Sequence, residues 1–172
     1  AIYKQGMQHT STDVRLSALK GLEESSDRAL VKPLTDMLTT DPSVEVRAAA
    51  AVPLAYLSAM AQSGKLGVKD EVILTRVLYA VLEDEREVQT VKLKALEAVS
   101  VFGGERLIPF IESAYALPDV RSRQSSIFAM GRTSDPRWVS YVLPDLEHDY
   151  ASIRYEAAMA MGELGDEEHL HS

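Results

Sequence analysis

The chain has 172 residues, enough for a sizeable core in one domain or a short array, with 46% apolar and 26% charged residues and a formal charge of −8. It contains no cysteine, which excludes a disulfide framework and thiol chemistry and favours an intracellular, here cytoplasmic, home. Aromatics make up only 6%, and plentiful alanine suits close helix packing better than a sheet sandwich.

Two further exclusions come from the ends and the charge map. The opening AIYKQGMQHT lacks the basic-then-apolar layout of a signal peptide. No apolar run approaches the ~18 residues of a membrane span, so no membrane partner is expected. The chain begins at Ala1 rather than methionine and reads as a piece cut from something longer. Of 18 Lys/Arg and 26 Asp/Glu, residues 140–172 hold one basic residue, Arg154, against eight acids, a balance of −7, leaving 17 against 18, or −1, for residues 1–139. A phosphate backbone is therefore a poor partner for the last fifth, and no nucleic-acid partner is expected.

Taken in chain order, one helical pattern returns five times. A branched or small residue precedes a basic one, and a small-residue face comes after it. The anchors are Val14, Val46, Val91, Ser122 and Ile153, spaced 32, 45, 31 and 31 residues apart. Small residues stand four positions on, at Ala18, Ala50, Ala95, Ser126 and Ala157, and seven positions on, at Gly21, Pro53, Ala98, Ala129 and Ala160. Larger apolar residues stand eight positions on, at Leu22, Leu54, Val99, Met130 and Met161. Offsets 0, 4, 7 and 8 share one helical face.

A second helix is expected after each first one. Ser26 or Asp27 caps a helix over 28–38 whose buried face is Leu30, Leu34, Met37 and Leu38. Asp70 starts a helix over 71–83 with Ile73, Val77, Leu78 and Val81 inward. Another comes after Gly103-Gly104 over 105–116, and Asp135 caps a last one with Pro136 at its first position, covering 138–146. Pro33, Pro109 and Pro144 should bend these second helices or shift their starts. Asp41-Pro42 is the cleanest cap of a first helix. The long 45-residue interval places extra residues in an extended first helix through Met60 and a loop over 62–67.

A helix pair every ~30 to 45 residues is the pattern of an α-solenoid. The chain resembles HEAT repeats, in particular the short class named after phycobilisome lyases. Their D-x-x-V-R-x-x-A-A-x-A-L-G pattern is matched best by residues 153–162 and by the unit starting at Asp41. The resemblance implies an all-α, right-handed solenoid of about five antiparallel helix pairs, one array over 1–172. Its repeats are about 10–40, 41–85, 86–118, 119–148 and an incomplete 149–172, with 1–9 the end of a preceding repeat. It further implies that Arg15, Arg47, Lys92, Arg123 and Arg154 are structural and bond between neighbouring repeats, with Asp13, Asp41, Glu87, Asp119 and Asp149 as nearby acids.

Catalytic readings find little support. There is no G-x-S-x-G elbow, and the four histidines are His9, His148, His169 and His171. HEAT-type deoxyhypusine hydroxylases bind iron through His-Glu dipeptides, whereas the best-matching unit here has Tyr155-Glu156 and no His-Glu occurs anywhere. His169 and His171 beside Asp166, Glu167 and Glu168 could hold a stray divalent ion, and a polar terminus explains them better. Some DNA glycosylases resemble HEAT arrays and need a basic groove. The basic cluster here is Arg121, Arg123, Arg132 and Arg137, about one repeat wide. No enzyme activity, cofactor or metal is expected.

Protein binding remains. Stacked second helices of a solenoid line a concave surface, and the candidate exposed positions are Lys32, Asp36, Arg76, Tyr79, Glu112, Tyr115, Trp138, Tyr141 and Asp145. The aromatic members combine apolar area with a polar tip, as interface anchors do. The expected function is a non-catalytic scaffold for a protein or peptide, with open solenoid ends that self-associate. The alternative that the resemblance implies is a subunit or accessory factor of a phycobilin lyase.

Overall fold

The computed structural model describes residues 2–165. The chain divides into two compact units, residues 1–99 and 100–172, so the division falls within the expected 86–118 repeat. All regular elements among the described residues are helical, and the chain is all-α.

The first unit contains α1 (Ile2–Met7), α2 (Thr12–Lys20), a 3-10 turn (Arg28–Leu30) that runs into α3 (Val31–Thr40), α4 (Val44–Gln62), α5 (Val68–Glu83) and α6 (Gln89–Val99). α1 packs on α2, α3 and α5 pack on α4, and α4 lies against α2 and α6. The second contains α7 (Ile108–Tyr115), α8 (Val120–Arg132), α9 (Val139–Val142) between 3-10 segments Pro136–Trp138 and Leu143–Glu147, and α10 (Ala151–Gly165). There α8 packs against α7 and α10, and α10 against α9 and the 3-10 segment after it.

The recurring face is the core of both units. Val46, Val91, Ser122 and Ile153 are buried at the anchor, as are all five residues four positions on. Val14 is the exception at 38% exposure. Gly21 lies just past α2, where a Cβ would sit 2.3 Å from the Tyr3 ring.

α4 spans 19 residues with a mean hydropathy of 1.3, long and apolar enough by composition to cross a membrane. This corrects the expectation that no segment approaches that length. The helix is nevertheless a core element: Val46, Ala50, Leu54 and Leu57 are all fully buried. It continues through Pro53 and extends to Gln62, where Gly64 turns the chain at φ +77°.

The second helices differ from expectation at their starts. The 28–38, 105–116 and 138–146 segments are each led by a 3-10 turn. Pro33, Pro109 and Pro144 sit in the first turn of α3, of α7 and of the 3-10 segment after α9, where no amide donor is missed. Asp27 does cap, accepting from the Ala29 amide at 2.9 Å, and Asp135 accepts from Arg137 at 3.0 Å. At α4 the cap is Ser43, which accepts from Val46, while Asp41 accepts from the Ser43 amide. α5 begins three residues before the expected 71, at Val68, and buries Leu74, Leu78, Tyr79, Val81 and Leu82, leaving Ile73 and Val77 half-buried. Asp70 is no cap but an 8% exposed acid inside the unit.

Candidate interaction site

The arginines make one contact repeatedly. Arg15 Nη1 donates to the carbonyls of His9 and Thr10 at 2.9 and 3.0 Å. Arg47 does the same to Asp41 and Pro42 at 2.9 and 3.5 Å, and Arg154 to His148 and Asp149 at 2.7 and 2.9 Å. Each arginine thus grips the loop before its own helix, five and six residues back. The residue six back also shapes that loop: the side chains of His9, Asp41 and His148 each accept the amide two residues on.

The other edge of the guanidinium reaches the next loop. Arg15 Nε and Nη2 pair with Asp41 at 2.9 and 3.0 Å, and Arg47 Nε and Nη2 pair with Glu87 at 3.0 and 2.9 Å. Both are fork-to-carboxylate pairs, specific in geometry as well as charge. Burial alone would push the Glu87 carboxyl up, but the bonds from Arg47 and the Val88 amide and the charge of Arg47 hold it below its ordinary value. In the same loop the Arg86 bonds hold the Asp84 carboxyl below its ordinary value, and the charge of Lys92 acts in the same direction. A further tie joins α5 to the turn before α3, Arg28 Nη2 to Asp70 at 3.0 Å. Sequence reading missed it, because an acid in a helix's first turn reads as a cap.

Arg123 departs from this scheme. In the second unit the residue matching Asp41 is His148, which offers no carboxylate. Arg123 turns instead to Asp145 at 3.2 and 3.1 Å and stacks 3.7 Å over the Tyr115 ring. Tyr115 donates to Asp145 at 2.9 Å, and its hydroxyl is pushed up to about 12, mainly by burial and then by that carboxylate. Tyr141 sits edge-on to both Tyr115 and Trp138 at centroid distances of 5.6 and 5.0 Å and donates to Glu112.

These contacts correct part of the expected surface. Trp138, Asp145 and Tyr79 are 1%, 2% and 6% exposed, so none presents itself to solvent. Trp138 and Asp145 stand where α9 and its flanking 3-10 turns bring them onto Tyr141, Tyr115 and Arg123, and Tyr79 belongs to the buried face of α5. Tyr115 and Tyr141 are half-buried in the same cluster. Lys32, Asp36, Arg76 and Glu112 remain exposed, with Lys32 bonded to Asp36 at 2.8 Å.

Two of the four arginines of the basic cluster are paired from within: Arg123 with Asp145, and Arg137 with Asp135 and Glu105, both at 2.8 Å. Among the described residues no three His, Asp or Glu side chains are grouped to hold a metal; His169 and His171 lie outside them.

The first unit also carries a cleft of about 510 Å³ between α1 and α3. Met7, Pro33, Met37 and Pro42 line it together with the charged Lys4, Asp36 and Asp41.

No family model and no curated protein matches the chain. The chain is similar in fold to the crystal structure of an engineered protein from a structural genomics consortium. That match has a TM-score of 0.57 and 18% identity and covers 96% of this chain and 78% of that one.

Proposed function

We propose that the chain is a non-catalytic interaction scaffold, a right-handed HEAT-like solenoid whose second helices receive a peptide or protein. The observation that carries this reading is the α1–α3 cleft. Its volume suits a bulky side chain or two, and its lining combines apolar residues with charges of both signs. Asp36 and Asp41, the acids beside it, are already engaged by Lys32 and Arg15, which fits recognition rather than acid–base work. The ties from Arg15 to Asp41 and Arg47 to Glu87, each from one first helix to the loop before the next, support the repeat reading.

The test is selection of peptides from a random displayed library on the full chain. Enriched peptides should compete with one another and bind about tenfold more weakly when Thr40→Trp fills the cleft. Asp36→Lys and Lys4→Glu should shift the charge preference of the selected sequences. Absence of enrichment, or binding indifferent to all three substitutions, would sink the proposal.

A further inference from the structure

Three first helices, α2, α4 and α10, are entered through loops closed in one way by two kinds of side chain. The closing residue stands six positions before the helix arginine, and its side chain accepts the amide two residues on. In the loop before α4 it is Asp41, accepting from Ser43 at 2.9 Å. Before α2 and α10 it is a histidine: His9 Nδ1 accepts from Ser11 at 3.0 Å, and His148 Nδ1 from Tyr150 at 3.1 Å. The His148 ring also lies stacked on Tyr150, with centroids 5.6 Å apart.

The two chemistries respond differently to acid. A neutral imidazole that accepts at Nδ1 carries its proton on Nε2, whereas an imidazolium carries a proton on each nitrogen and accepts at neither. Imidazole is the side chain that ordinarily changes charge between pH 8 and pH 5, and a carboxylate keeps its acceptor oxygens throughout that range. A proton on His9 or His148 therefore turns the nitrogen that closes the loop into a donor facing a donor.

The charged groups around the two rings do not undo this. Arg15 and Arg154 each hold the carbonyl of the histidine itself, at 2.9 and 2.7 Å, so a proton adds charge beside a fixed cation. At His9 the other charges are Lys4 on α1, Asp13 in the first turn of α2 and Asp41, which is bonded to Arg15. At His148, Asp119 and Arg123 of the α8 end line the same cavity of about 220 Å³. Asp145 there is bonded to Arg123, and Glu147 and Asp149 flank the histidine in the chain. The carboxylates offset the repulsion, but none of them restores an acceptor to the ring nitrogen.

We propose that His9 and His148 are acid-sensitive latches: protonation of either ring opens its loop, whereas Asp41 keeps the loop before α4 closed. Each unit thereby carries one first helix, α2 or α10, whose entry loop is held by histidine and arginine together near neutrality and by arginine alone in mild acid. The device stands whether or not the cleft of the first unit binds peptide.

Amide hydrogen exchange of the isotope-labelled intact chain, read by NMR at pH 8 and pH 5 and corrected for the intrinsic rate of each amide, tests this. Long-range proton–nitrogen spectra at pH 8 should place the proton of both rings on Nε2. Protection of the Ser11 and Tyr150 amides should fall about fivefold at pH 5, the loss of one hydrogen bond, while that of Ser43 stays unchanged. His9→Asp and His148→Asp each install the closure that Asp41 already provides. Each should remove the fall at its own loop and leave it at the other, which serves as the control for folding. A proton found on Nδ1 at pH 8, protection at either amide that ignores pH, or a fall that Ser43 shares overturns the proposal. So does a fall that persists at the substituted loop of an aspartate variant.

Discussion

Arg47 shows how one side chain sets local structure on both sides of itself. Its fork holds Glu87, and its remaining nitrogen holds the loop before α4, with the pair's side chains 16% and 10% exposed. Removing one partner strands the other where water reaches it poorly. Glu87→Gln should cost about 2 kcal/mol, a fall in Tm of roughly 4–8 °C. Arg47→Lys should not spare the fold, because an ammonium cannot span a carboxylate and two carbonyls at once. The pH sign is set by the lowered Glu87 carboxyl: the stabilisation is present above the ordinary carboxylate range and is lost as pH falls through the folded value. Thermal melts from pH 7 to pH 3 should therefore show a shallower acid limb in Glu87→Gln than in the parent.

Glu163 has the opposite sign. Burial on α10 raises its carboxyl, against the pull of the Arg132 charge. A raised group favours the fold while protonated and works against it as pH rises through the folded value. Glu163→Gln should raise Tm by about 1–3 °C at pH 7, and the gain should vanish near pH 4, where the parent carboxyl is itself protonated. A gain that persists at pH 4 would mean that charge is not the cause.

At the scale of the element, two glycines on neighbouring helices make a matched comparison. Gly131 of α8 is a contact residue, and a methyl there meets backbone that cannot swing aside. Gly131→Ala should destabilise by about 1–3 kcal/mol. Among the described residues Gly162 of α10 has no neighbour within reach, so Gly162→Ala should gain up to about 1 kcal/mol from helix propensity alone. Urea denaturation of the two variants reads both signs, and equal effects would discard the packing argument.

The same scale shows what could be read from the sequence. The five first helices and their buried faces come from a 3.6-residue period, a property of the backbone that sequence reports directly. The starts of the second helices were harder, because Pro33, Pro109 and Pro144 are compatible with either a kink or a late start. In the sequence Asp70 and Asp41 both have the pattern of caps, since a cap and a cross-helix carboxylate look identical in one dimension. Trp138, Tyr79 and Asp145 failed as surface residues for a related reason. An aromatic or acidic side chain on a second helix faces solvent or the adjoining helix depending on a rotation that the short α9 and its 3-10 turns decide. The Arg123–Asp145 pair was out of reach altogether, because it exists only where His148 takes the place of an acid.

For the whole molecule the charge map sets two opposing effects of salt. The net charge of −8, of which −7 lies within residues 140–172, resists compaction through self-repulsion, and that repulsion is screened over about 10 Å at 0.1 M salt. The ion pairs that join successive helices act in the other direction, but they are short and enclosed. Arg15–Asp41 is 10% and 7% exposed by side chain, and Arg123–Asp145 28% and 3%, so salt weakens them less than it weakens exposed repulsion. Added sodium chloride should therefore raise Tm at pH 7 by a few degrees between low and physiological ionic strength. The gain should shrink when acids outside the pairs are neutralised, as in a combined Glu147→Gln and Asp149→Asn variant. If Tm instead falls with salt in the parent and rises in Glu87→Gln, the arginine ties outweigh the acidic tail. Stability would then be limited by the pairs from helix arginines to neighbouring loops rather than by the excess of negative charge.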